Sequence, residues 1–285
     1  MAKRIYNIME LTAIELAERL KECDIVLIPC GSHERHGMHL PLGSDSYQAL
    51  EISKLAAQKA EVLHTAPIWI GYSPHHMRRP NEGTGTITLR GETYRRLFYD
   101  VTKSLIYHGF NKIVYVNYHG SNIKVLDDVL RRLRYETGAF IAVYQHSFER
   151  DLRLVKDLIK GPLEDTPGWH AGEIETSIMM AYYPDLVRME SAVKDSAHAP
   201  GWLSDKFKKK DGTSTVEFED AENIWIPMDH YEYSDSHTIG DPFAATIEEG
   251  KALVERSATH LSHFVNEIKK IKVEIKTREF DDRSW

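Results

Sequence analysis

Apolar residues recur along the chain with two periods, and the two alternate. Asp24-Ile-Val-Leu-Ile-Pro-Cys30 is a short apolar run followed by glycine, which predicts a buried strand. Residues from about 45 to 59 carry apolar side chains at helical spacing, and 62–72 (VLHTAPIWIGY) reads as a second strand. A short alternating stretch, Thr86–Leu89, precedes a long amphipathic helix over about 92–107 that Gly109 closes. Ile113–Val116 is a further buried strand, then a polar turn (117–122), a helix to about Tyr135, and a strand at Phe140–Tyr144.

Strands of four to seven residues alternating with helices predict βαβ units. The expected fold is α/β, with a mostly parallel central sheet covered by helices on both faces. In such sheets, sites form where loops leave the carboxyl ends of the strands. Residues 190–245 show little periodicity and are rich in Asp, Lys, His, Ser and Pro, so they read as a long irregular segment. A last helix runs over about 246–272. The chain is expected to form one domain over residues 1–285, without internal repeats or low-complexity tracts.

Composition narrows the function classes. With 42% hydrophobic and 28% charged residues the chain is an ordinary globular one. Its formal charge of −7 argues against a nucleic-acid partner, because phosphate affinity needs basic excess. No apolar run reaches the roughly 18–20 residues of a membrane helix, and the N-terminus lacks the apolar core of a signal peptide. Cys23 and Cys30 make no disulfide framework, so the expected location is the cytoplasm. The unusual count is 15 histidines, several beside carboxylates.

Three clusters carry candidate chemistry. In Gly31-Ser-His-Glu34-Arg-His36, residues two apart point the same way in extended chain, so Glu34 and His36 can face one point. Asp45, at the start of the next helix, can return to it. Two carboxylates and an imidazole suit Zn, Mn or Fe, although Asp45 also reads as a helix cap. His119 sits at the equivalent end of another strand. In Trp169-His170-Ala-Gly-Glu173-Ile-Glu175-Thr-Ser177, helical spacing puts His170 and Glu173 on one face and Glu175 elsewhere. Two acids in a first turn also suit the helix dipole. His75-His76-Met-Arg-Arg79 is a loop that can face substrate, a neighbouring subunit or solvent.

With these motifs in this order, the sequence resembles the creatininase (creatinine amidohydrolase) family. The resemblance rests on G-S-x-E-x-H-G-x-H-L-P-L-x-x-D (31–45), N-x-H-G-x-N (117–122) and H-A-G-E-x-E-T-S (170–177). Gly85-Thr86 and Gly240-Asp-Pro242, followed by Ala-Thr and a terminal helix, fit as well. It spans about residues 10–270 and implies an α/β hydrolase with two metals per chain, often hexameric, acting on a small molecule. Members include creatininase, a formamide hydrolase of flavin-type biosynthesis, a peptide-maturation protease and a hydrolase of an inositol-derived ketone. The resemblance implies that Glu34 and His36 bind separate metals, that Asp45 bridges them, and that His119 joins the metal held by Glu34. Two residues after that histidine creatininase has a glutamate ligand, where this chain has Ser121. Glu175 is the candidate replacement, and a single-metal site is the alternative. His170 matches a histidine placed near substrate. The creatinine-binding tryptophan has no counterpart at its offset, where Thr166 falls, so creatinine is not the expected substrate.

The expected mechanism has metal-held hydroxide attacking a carbonyl. His170, oriented by Glu173, protonates the leaving atom. His76, Ser121 and Trp169 are the candidate substrate contacts. Absence of a GxSxG elbow and of a Cys-His pair argues against covalent catalysis. C–N cleavage of an amide or cyclic amide competes with C–C cleavage of a cyclic polyol ketone, which His198, His230 and His237 would suit. A non-catalytic metal-binding protein of the same fold is a further alternative.

Overall fold

The computed structural model describes residues 4–145, 152–161, 170–281 and 283–284. In chain order, the main elements are α1 (Ala13–Glu22), β1 (Ile25–Cys30), α2 (Ser44–Ala60), β2 (Leu63–His64), α3 (Gly91–His108), β3 (Lys112–Asn117), α4 (Asp127–Thr137), β4 (Phe140–Gln145) and α5 (Glu173–Tyr182). They are followed by β5 (Phe207–Lys208), β6 (Thr215–Phe218), β7 (Glu222–Trp225) and α6 (Ile247–Lys269). The central sheet has the order β2-β1-β3-β4, with every pairing parallel.

Burial of β1 and β3 on both faces explains their unbroken apolar runs. Successive side chains enter opposite layers. Ile25, Leu27, Val114 and Val116 pack with Ile52 and Ala56 of α2, Ile174 and Ile178 of α5, and Leu253 and Leu261 of α6. Val26, Ile28, Ile113 and Tyr115 pack with Tyr94, Phe98 and Ile106 of α3 and with Val129 and Leu133 of α4. Each fully buried aliphatic side chain contributes about 1.5–3 kcal/mol, so the sheet is a stiff base for polar loops. Two glycines permit the close approaches. A Cβ on Gly250 would lie 1.9 Å from the Ser177 carbonyl oxygen, where α6 meets α5. One on Gly31 would lie 2.3 Å from Ser46 N, where the end of β1 meets α2.

Four departures from the sequence reading have local causes. The strand expected over 62–72 is a ladder of only Leu63–His64 plus an isolated bridge, Cys30 to Ile68. Pro67 removes a ladder donor between them. The 86–89 stretch pairs with a loop, through Ile87 and His33, and not with the sheet. The helix after 122 begins as a 3₁₀ turn, Asn122–Val125, before α4. Asn122 does not cap it. Its side chain bonds Gly31 O, Asn117 Oδ1 and Tyr72 N, tying three strand-end loops together. Residues 190–245 contain a small antiparallel sheet, β5-β6-β7. Among the described residues no helix is long and apolar enough to cross a membrane.

Candidate metal centre

Parallel register decides which loops meet. Cys30 lies opposite Asn117, so the loop carrying Glu34, His36 and Asp45 leaves the sheet beside the loop carrying His119. Glu175 arrives from the first turn of α5, which packs on the same layer as α2.

These five side chains form two sets with one shared member. Glu34, Asp45 and His119 each offer a ligand atom within 4.8 Å of the others, as do His36, Asp45 and Glu175. All five are buried. Asp45 Oδ1 lies 2.9 Å from His36 Nε2, and its Oδ2 lies 3.2 Å from His119 Nδ1. Glu34 Oε2 lies 3.2 Å from the same Nδ1. Glu175 Oε2 accepts from Ala171 N at 2.6 Å and lies 3.8 Å from His36 Nε2.

Backbone carbonyls set both imidazoles. His119 Nε2 is 3.1 Å from Tyr72 O and 3.0 Å from Ser73 Oγ. His36 Nδ1 is 3.1 Å from Glu34 O. A carbonyl only accepts, so these nitrogens carry the protons and the opposite nitrogens turn lone pairs toward carboxylates. This is the habit of metal-bound histidine. Acceptor then faces acceptor, a gap that either a proton or a metal cation fills. Glu34 Oε2 and Asp45 Oδ2 both converge on His119 Nδ1, and neither has another partner among the described residues. The donor sets therefore fit two divalent ions.

The electrostatics agree. Burial opposes ionisation of Glu34, yet the imidazoles of His119 and His76 hold its carboxyl well below the usual range. Burial also opposes a charge on His36, but Asp45 and Glu175 outweigh it and raise its pKa to about 10. Burial pushes Glu175 up to about 7, against the pull of His36. Such a site favours positive charge strongly, and a metal would displace the protons.

His170 stacks on His36, with ring centroids 4.3 Å apart. Its Nε2 donates to Arg35 O at 2.8 Å, leaving the Nδ1 lone pair available. Burial, then the charge of His36, lower its pKa to about 4, so the ring is neutral at pH 7.

Glu173 does not orient His170. Its carboxylate accepts from the amides of Lys160 and Gly161 at 2.6 and 2.8 Å. The helical-spacing argument fails because α5 starts at Glu173, with Gly172 as N-cap. His170 precedes it in extended chain bridged to Ile239, and Ala171 turns through φ +51°. Asp45 is likewise not the cap of α2, whose N-cap is Gly43.

Glu173 lies beside Glu249 of α6. Burial, then that neighbouring carboxylate, push Glu249 from an ordinary 4.5 up to about 8. The folded protein thus holds this proton where the unfolded chain releases it. The stability that Glu249 contributes is fully present below about pH 4.5 and is lost as pH rises through about 8. Glu249→Gln is expected to raise the melting temperature more at pH 8 than at pH 5. An equal shift at both values would show that Glu249 is ionised in the fold.

Other expected contacts divide. His76 and Ser121 line the pocket over the centre. His76 Nε2 lies 3.6 Å from Glu34 Oε1, and Ser121 Oγ lies 3.3 Å from both His75 Nε2 and Lys124 Nζ. Trp169 and Thr166 lie outside the described residues. His230 lines the pocket and His237 adjoins His230, whereas His198 is exposed and does not line it. Sequence reasoning missed Lys124, Thr213 and Tyr118 in the lining. Tyr118 lies inside the 117–122 motif and Lys124 just past it, whereas no sequence signal marks Thr213.

The profile of the creatininase family, described as creatinine amidohydrolase, matches residues 9–265. The chain belongs to the creatininase family of hydrolases. It is 30% identical to 3-dehydro-scyllo-inosose hydrolase of Thermotoga maritima over 187 residues, which cover 64% of this chain and 58% of that protein. It is also 30% identical to creatinine amidohydrolase of Pseudomonas putida, over 68% of this chain and 77% of that enzyme. The fold matches a solved structure described as creatininase Mn with a TM-score of 0.71 and 24% identity, covering 94% of this chain and 100% of that one.

Proposed function

We propose that this protein is a metal-dependent hydrolase that attacks the carbonyl of a small polar substrate, with C–N cleavage of an amide or cyclic amide as its reaction. The observation carrying this reading is the pair of donor sets that share Asp45 beneath one pocket. Glu34, Asp45 and His119 would hold one divalent ion, and His36, Asp45 and Glu175 the other. Mixed carboxylate and imidazole ligands suit zinc, manganese or iron. When bound, such ions supply Lewis acidity that ionises water near neutral pH and polarises a carbonyl.

The chain's own residues supply orientation and proton transfer. The Tyr72 and Glu34 carbonyls hold the His119 and His36 rings in place. His170 is neutral, with its Nε2 proton committed to Arg35 O. It takes a proton at Nδ1 from the attacking water and passes it to the leaving nitrogen. Ser121, hydrogen-bonded to His75 and to Lys124 at the pocket wall, positions substrate with them.

One observation favours a second reading, ring-opening C–C cleavage of a cyclic polyol ketone. His75, His76, Ser121, Lys124, Thr213 and His230 all present hydrogen-bonding groups to the pocket, as hydroxylated substrates require. The relative from Thermotoga maritima acts, by its name, on such a ketone. The test is a panel of cyclic amides, formamides and inososes assayed with metal-loaded and chelator-treated protein. Metal-dependent release of an amine supports the first reading, and ring-opened acid from an inosose supports the second. Bound metals with no turnover across the panel would point to the non-catalytic protein.

A further inference from the structure

Beside the centre just described lies a second group of potential ligands that belongs to neither of its two donor sets. His76, His230 and His237 each present a ring nitrogen within 4.8 Å of the other two. Their relative exposures are 3%, 2% and 0%. Among the described residues, both nitrogens of His230, both of His237 and Nδ1 of His76 have no hydrogen-bond partner. Buried polar atoms are nearly always satisfied, and leaving one bare costs about 1–3 kcal/mol. Three buried imidazoles that each turn a nitrogen to one place, with five nitrogens unpartnered among the described residues, are thus the marks of a site that takes a ligand.

We propose that His76, His230 and His237 form a third metal site, for a borderline divalent ion such as zinc. Three neutral imidazoles with an open fourth position match a known zinc arrangement. Hard ions such as magnesium or calcium prefer oxygen donors and are excluded by this ligand set. Arg35 and Arg78 lie on the His237 side and oppose a cation through their charge. Arg78 is paired with Glu82 at 3.0 Å, however, and the Glu34 carboxylate lies 3.6 Å from His76 on the other side. Nitrogen donation, not net negative charge, is what would hold an ion here.

The backbone builds the three positions. His76 ends a 3₁₀ turn, Pro74–His76. His230 opens another, His230–Glu232, fixed by a capping box between Asp229 and Glu232. His237 takes φ +58°, a left-handed conformation costly for a residue with a Cβ. The Gly37 amide donates to its carbonyl at 2.8 Å and anchors it to the first-motif loop. A strained, anchored histidine with both ring nitrogens bare is the geometry expected of a functional position. Bonds of about 2.0–2.1 Å to one ion put tetrahedral nitrogens about 3.4 Å apart. His230 now stacks between His76 and His237, with centroids 4.5 and 4.8 Å away, so closing the remaining distance requires the rings to turn out of these stacks.

The test measures zinc per chain after saturation and gel filtration, in the full-length protein and in His230→Ala, His237→Ala and Asp45→Asn. Three ions per chain are expected, falling to two in each histidine variant and to one in Asp45→Asn. Cobalt substitution gives a second readout, because loss of a nitrogen-rich site removes its own visible absorption bands. Two ions in the unaltered protein, unchanged in both histidine variants, would overturn the proposal. Unchanged metal content in Asp45→Asn would instead contradict the shared-aspartate centre. If His237→Ala does not fold, His230→Ala decides alone, since its backbone carries no left-handed strain.

Discussion

Asp45→Ala is expected to abolish turnover and remove both ions of the shared centre while leaving a folded protein. One carboxylate oxygen faces His36 and the other faces His119, so both donor sets lose a member at once. Changing a residue that only orients a ligand costs roughly 10–100-fold, and Asp45→Ala should exceed that. The fold should persist because Asp45 caps nothing, Gly43 being the N-cap of α2. Metal content, turnover and thermal melting of the same preparation check this. Full metal content with full turnover would reduce Asp45 to a polar residue at a helix start.

The second large effect separates Glu175 from His170. Glu175→Gln is expected to lose one ion, from the set completed by His36 and Asp45. His170→Ala is expected to keep both and slow turnover by roughly 10²–10⁴-fold, the usual worth of a positioned proton-transfer group. His170 also lies near Glu34 and His36 as a possible ligand, so metal loss in His170→Ala would reassign it. Glu173→Gln should leave metals and turnover intact. It should lower the melting temperature, because the Lys160 and Gly161 amides then face a neutral acceptor.

The elements visible in the sequence were those whose burial pattern is local. β1 and β3 are buried on both faces and read as unbroken apolar runs, and α3 and α6 show their stripes. The meeting of Glu34, His36, Asp45 and His119 was legible for a related reason: parallel strands deliver their following loops to one edge. Glu173 was misread because residue spacing presumes a helix already running at His170, whereas Gly172 and the two acids of the first turn mark its start at Glu173. The β5-β6-β7 sheet escaped notice because two-residue and four-residue strands are too short to show a period. His230 and His237 reach His76 through turns and loop pairings, including the His170–Ile239 bridge, that are set by tertiary contacts.

The most direct test of the central claim is anomalous diffraction at the metal edge from crystals grown with zinc or manganese. The account predicts two peaks flanking Asp45, each about 2.0–2.2 Å from a different carboxylate oxygen. One should be shared with Glu34 and His119, the other with His36 and Glu175. A single peak that touches only one Asp45 oxygen, or peaks remote from Asp45 altogether, would contradict it.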